Sequence, residues 1–246
     1  MDFFDKDPRV FIEPSEEIEF YRAAYPLPSK LIYSPFSRPE YPQRSRNRKL
    51  KELPKLYHGT NLYCIDDEVL LFQGFIGAPA TVVFLEQLIA LGVKEFVFLG
   101  LAGAIQKARI GDRIIVTEAV RLEGTSYHYL PPNTPSLPSA KMIDELTTYF
   151  SSNGIRFAKG KICTTDAPFR ETFKLINDLR QREVIAIEME IAAAFAVASF
   201  RHVKAVALVI ISDELKEDTW SKFQPDQFSG VFHASFNSLL DFFSNK

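Results

Sequence analysis

The sequence predicts an α/β protein with a mostly parallel or mixed sheet and helices on both sides. Apolar runs of strand length alternate with helix-length periodic stretches from residue 68 to the end. Several of those runs are apolar throughout, as expected of strands covered on both faces. The 246 residues, 46% hydrophobic and 24% charged, fit one large α/β domain better than two independent ones.

The first 54 residues hold eight of the fifteen prolines and no glycine. Residues 1–55 therefore read as an irregular arm ahead of an α/β domain spanning 56–246. Phe11, Ile12, Phe20, Tyr21, Tyr25, Leu31, Ile32 and Tyr33 suggest an arm that packs on something. Arg44 to Lys51 is the one concentrated basic run, read as a solvated loop.

Glu68 to Gly74 has strand length, and Pro79 to Leu91 has helical periodicity with Gly92 as a stop. Phe96 to Leu99 is a strand expected to break at Gly100-Leu101-Ala102-Gly103, and Arg113 to Val120 is another. Ser139 caps a helix that Gly154 ends, Ile155 to Cys163 is a strand, and Glu171 to Arg182 a helix. Val184 to Ile187 enters an alanine-rich helix, Ile191 to Phe200. Ala205 to Ile211 ends at Ser212-Asp213, and Gln227 to Phe243 is an amphipathic helix.

Composition excludes several classes. With 29 basic and 31 acidic residues there is no global field for nucleic acid or an anionic membrane. Cys64 and Cys163 form neither a disulfide framework nor a metal-binding pair, so a reducing compartment is expected. The start MDFFDKDPRV lacks an apolar signal region, and a cytoplasmic location is the expectation. No HExxH, GxSxG, P-loop or dinucleotide fingerprint occurs.

Ligands in such sheets bind beyond the carboxyl ends of the strands. There Glu188-Met189-Glu190 interrupts an uncharged stretch. A poorly solvated carboxylate needs donors, which a sugar cis-diol supplies in pairs, or else it caps the next helix. Asp213 stands at the end of an apolar strand, as a proton donor or as a cap for the next segment. Gly74 to Pro79 leads into a helix whose free N–H groups suit an anion or a sugar.

The stretches GFIGAPATVVFLEQLIALGV, FLGLAGAI, IGDRIIVTEAVRLEGTSYHY, TTDAPFRET, IEMEIAAAFAVAS and VIISDEL, in this order and spacing, span about residues 68–215. Through them the chain resembles the family of hexameric purine nucleoside phosphorylases, uridine phosphorylases and methylthioadenosine nucleosidases. The resemblance implies a three-layer α/β/α fold with a mixed, partly barrel-like central sheet. It implies Glu190 as the ribose-binding carboxylate, with Met189 and Glu188 beside it, and Asp213 as the catalytic acid that protonates the base. Phe169, Arg170 and Ser212 would face the base.

The phosphate site departs from the family. Phe98 and Leu101 stand where phosphorylases carry an arginine and a Ser or Thr, and only Arg38 matches the N-terminal phosphate loop. Arg38, Gly100 and Arg121 are the candidates for a rebuilt anion site. The implied function is a pentosyltransferase of purine salvage, cleaving a purine nucleoside with phosphate. The alternatives are a water-using nucleosidase or a degenerate nucleoside binder. No cofactor or metal is expected beyond phosphate as co-substrate. The expected partners are a nucleoside and further copies of the chain, as a dimer or trimer of dimers, without nucleic acid or membrane.

Overall fold

In the computed structural model, residues 4–7, 9–18, 27–35, 48–56, 59–216, 219–221 and 225–245 are described. The strands are β1 (Lys30–Ser34), β2 (Leu50–Leu53), β3 (Asn61–Ile65), β4 (Val69–Gln73), β5 (Glu95–Ala104), β6 (Arg113–Leu122), β7 (Ala158–Thr165), β8 (Val184–Glu188), β9 (Lys204–Leu215) and β10 (Trp220–Ser221). The helices are α1 (Pro14–Glu17), α2 (Ala78–Ala90), α3 (Ala140–Ser152), α4 (Phe173–Gln181), α5 (Ile191–Phe200) and α6 (Pro225–Ser244).

The sheet runs β10-β9-β6-β7-β8-β5-β1-β4-β3-β2, and an extra β9–β5 pairing closes the five strands β9, β6, β7, β8 and β5 into a ring. Parallel pairs (β1 with β4 and β5, β5 with β9) mix with antiparallel ones (β6 with β9, β5 with β8). The mixed, partly barrel-like sheet expected above is thus present.

Strand alternation explains the layers, because successive side chains point to opposite faces. Phe96, Phe98, Val209 and Ile211 enter one core with α2 and α5. Val97, Leu99, Leu208 and Ile210 enter the other with α3 and α6. α5 is apolar all round and buried from Ile191 to Ala198, as a helix wedged between α2 and the sheet must be. α6 instead buries a stripe, Phe228, Phe232, Phe236, Leu239 and Phe243, at helical spacing.

Two expectations are corrected. Residues 30–34, placed in an irregular arm, form a strand between β4 and β5, with Leu31, Ile32 and Tyr33 fully buried. β2 likewise pairs with β3, so the domain does not begin at residue 56. Proline density describes the flanks of this segment. The short apolar run in it is decided by two open strand edges that only the tertiary fold supplies.

The strand predicted to break at Gly100 instead continues to Ala104, because β5 pairs with β9 along its whole length. Gly100 is needed there for another reason. A Cβ at this position would lie 2.7 Å from the Phe98 ring, which folds back over it.

Candidate active site

The exits of β5, β8 and β9 meet at a cavity of about 370 Å³, within the size range of small-molecule sites. A bulge aims the first of its carboxylates. The β5–β9 register runs evenly to Ala102↔Ile211 and then jumps to Gly103↔Asp213, leaving Ser212 as the extra residue. Asp213 faces Gly103, where a Cβ would come within 3.1 Å of its Oδ2. Ser212 Oγ donates to Asp213 Oδ1 at 2.7 Å, and Trp220 Nε1 donates to Oδ2 at 2.7 Å.

The second pair sits where β8 becomes α5. Glu188 Oε2 accepts from the Glu190 and Ile191 N–H groups at 2.7 and 2.8 Å. Its Oε1 accepts from Thr164 Oγ1, which in turn accepts from the Ala192 N–H at 2.8 Å. Glu188 therefore caps α5, the bland member of the two readings open from sequence. It touches the cavity, but both oxygens are engaged by the fold, which corrects its assignment to the sugar. Glu190 Oε1 accepts from the Gly77 N–H at 2.7 Å, tying this exit to the glycine turn before α2. Gly77 has φ +108°, a conformation that disfavours any side chain there.

Burial raises the pKa of both Glu188 and Glu190. The charge of Glu190 adds to the rise at Glu188, while the Gly77 N–H pulls Glu190 back. Glu171, half-buried in the same cavity, is pushed up to about 7, first by burial and then by the charge of Asp213. The described lining thus carries four carboxyl groups and no lysine or arginine. Such a wall favours a ligand that donates hydrogen bonds.

Met189, Ser212 and Phe169 join these carboxylates, so six of the expected residues share the cavity with Glu171 and Trp220. Phe169, on the short turn Pro168–Arg170, is fully exposed at the cavity with an open ring face. Arg170, its neighbour, is not among the lining residues.

The expected anion ligands do not gather. Arg121 is buried and its guanidinium is engaged. Nε donates to Ser126 Oγ, Nη1 to the Pro131 and Thr134 carbonyls, and Nη2 to the Leu130 carbonyl. It pins the loop after β6, and its ring partner Tyr127 lies 4.1 Å away, so its phosphate assignment is corrected. Gly100 lies inside a paired strand opposite Val209, not in a turn, and does not line the cavity. Phe98 is fully buried and stacks on Tyr33 with centroids 5.4 Å apart. Arg38 and residues 44–47 lie outside the described residues, while Arg48 pairs with Asp66 and Asp241.

Sequence reasoning missed Glu171 and Trp220. Glu171 directly follows Arg170, the last residue of this segment assigned to the base from sequence. The signal for Trp220 was its being the only tryptophan, seven residues beyond Asp213, on a segment that β10 folds back antiparallel onto β9.

Comparison with known proteins points one way. The model of the phosphorylase superfamily matches residues 34–240. A guanosine phosphorylase of Halorubrum lacusprofundi is 30% identical over 172 residues, 70% of this chain and 68% of its own length. A uridine phosphorylase of Thermococcus kodakarensis is 33% identical over 144 residues, 53% of this chain and about half, 52%, of its own. The crystal structure of a purine nucleoside phosphorylase from Toxoplasma gondii in complex with immucillin-H aligns over 89% of this chain and 93% of its own. Its TM-score is 0.76 at 17% identity, a likeness of fold.

Proposed function

The chain belongs to the phosphorylase superfamily, and from that premise we propose that it is a pentosyltransferase cleaving the N-glycosidic bond of a purine nucleoside with inorganic phosphate. The observation that carries the reading is that Glu190 and Asp213 share one cavity, each held by donors from the fold. Guanosine and uridine phosphorylases among the relatives support phosphorolysis over the water-using and degenerate alternatives.

In this mechanism Glu190 accepts hydrogen bonds from the ribose hydroxyls while Met189 packs against the sugar. As the C1′–N9 bond breaks, its electron pair moves into the base. Asp213 delivers its proton to N7, so the base departs neutral. The carboxylate wall stabilises the positive charge that develops on the ribose, and a phosphate oxygen attacks C1′ to give ribose 1-phosphate. Phe169 stacks on the base. Glu171, ionised in part near neutral pH, accepts from an N–H on the edge of the ring. The purine preference rests on Asp213, since a pyrimidine presents no N7 to protonate.

Phosphate needs cations that the described lining lacks. In this reading Arg38 and the arginines at 44 and 46 supply them across a contact between copies, which makes the working form a homo-oligomer. The test is a turnover panel of inosine, guanosine, adenosine and uridine with phosphate. Release of a purine base is expected. Cleavage of uridine at a rate equal to the purines would overturn the assignment of Asp213.

A further inference from the structure

We infer that Trp220 is the positioning residue of Asp213, an indole N–H donor that fixes the acid and stabilises its carboxylate as the proton leaves. Trp220 Nε1 lies 2.7 Å from Asp213 Oδ2, and Trp220 itself lines the cavity. β10 has two residues and pairs Trp220 with Leu215 and Ser221 with Glu214, returning the indole to the strand exit it left. The hairpin is locked a second time by Ser221 Oγ, which accepts from the Glu214 N–H at 2.7 Å. An indole at 59% exposure is not there to fill a core. Its hydrogen bond is the specific feature of its placement.

The donor type decides the consequence. Indole N–H donates and cannot accept, so it favours the charged form of the carboxyl it faces. The Ser212 hydroxyl holds the other oxygen, and each carboxylate oxygen keeps a further lone pair for the proton. Transfer of that proton to the base breaks the Asp213 O–H bond and forms an N–H bond on the ring, leaving a carboxylate already facing its indole donor. Glu171, from the segment before α4, and Glu188 and Glu190, from the β8–α5 junction, line the same cavity, and the charge of Asp213 acts on Glu171. Among these acceptors Trp220 is a side-chain donor to Asp213.

The inference rests on the proposed role of Asp213 as the acid, and two measurements separate them. In Trp220→Phe, which keeps a ring and loses the N–H, kcat falls about tenfold, the scale of one hydrogen bond to a charged group. KM stays within about twofold, since the ribose contacts are untouched. An unchanged kcat, or a loss carried by KM instead, overturns the inference.

The second measurement needs no substrate. Trp220 is the sole tryptophan, so emission from the protein's indole reports its surroundings at this exit. The emission of the free protein is expected to shift in Asp213→Ala, which removes the acceptor, and to stay in place in Glu171→Gln. An unshifted emission in Asp213→Ala overturns the inference. The expected shift in a protein that turns over no nucleoside leaves the Trp220–Asp213 pair standing and sinks the proposed function instead.

Discussion

At the exits of β8 and β9, Glu188, Glu190 and Asp213 each accept hydrogen bonds from the fold: from Thr164, the α5 terminus, Gly77, Ser212 and Trp220. At β5, bonded to both strands, Phe98 and Gly100 instead seal an aromatic cluster of Phe98, Tyr33 and Phe72, with Tyr33 and Phe72 centroids 5.2 Å apart. One region holds charge ready for a ligand; the other excludes it. Pre-organisation for the nucleoside and the cationic site for phosphate are therefore separable features of one sheet. The first is built into the strand exits, and the second must come from elsewhere.

The comparison breaks most sharply at Asp213. Asp213→Asn keeps the shape and removes the transferable proton, so purine release is expected to slow by about 10²–10⁴-fold, the usual worth of a general acid. Steady-state kinetics at saturating nucleoside reads this, and an unchanged rate would place the acid elsewhere.

At β5 the expected loss is of stability. Phe98→Ala removes a fully buried ring and should cost about 3–5 kcal/mol in denaturant unfolding. A loss under about 1 kcal/mol would mean that the cluster collapses around the gap and contributes little.

A smaller effect belongs to Glu190→Gln, which should weaken nucleoside binding by about 1.5–3 kcal/mol, the value of a charge-assisted hydrogen bond. Calorimetry reads it, and equal affinity would remove Glu190 from the sugar site.

The smallest concerns pH. The folded-state pKa of Glu171 lies above its unfolded value, so its stabilising contribution is full in acid and is lost as pH rises towards about 7. Glu171→Gln should therefore match the parent in melting temperature near pH 4 and exceed it at pH 8. A variant that melts lower at pH 8 would show that the ionised carboxyl has a donor.

Much of this was legible in the sequence, for physical reasons. Apolar runs such as Ala205 to Ile211 declare central strands because both faces are buried. Charges stranded in apolar context, Glu188, Glu190 and Asp213, declare the site. Other features depend on distant partners. β1 needed the edges of β4 and β5. The Ser212 bulge needed the β5 register, and no local pattern says that Glu188 caps α5 while Glu190 faces the cavity. Arg121 looked like an anion ligand because its sequence neighbours do not reveal that the carbonyls of residues 130–134 curl back onto it.

The central claim, phosphorolysis at a cavity whose described walls carry no cation, is tested most directly by following inosine cleavage with ³¹P NMR as phosphate is raised from zero. The expected result is ribose 1-phosphate as the sugar product, with a rate that still climbs at millimolar phosphate, since a site of few charge contacts binds at about -4 kcal/mol. Base release at full rate without phosphate, with free ribose as the product, would contradict it.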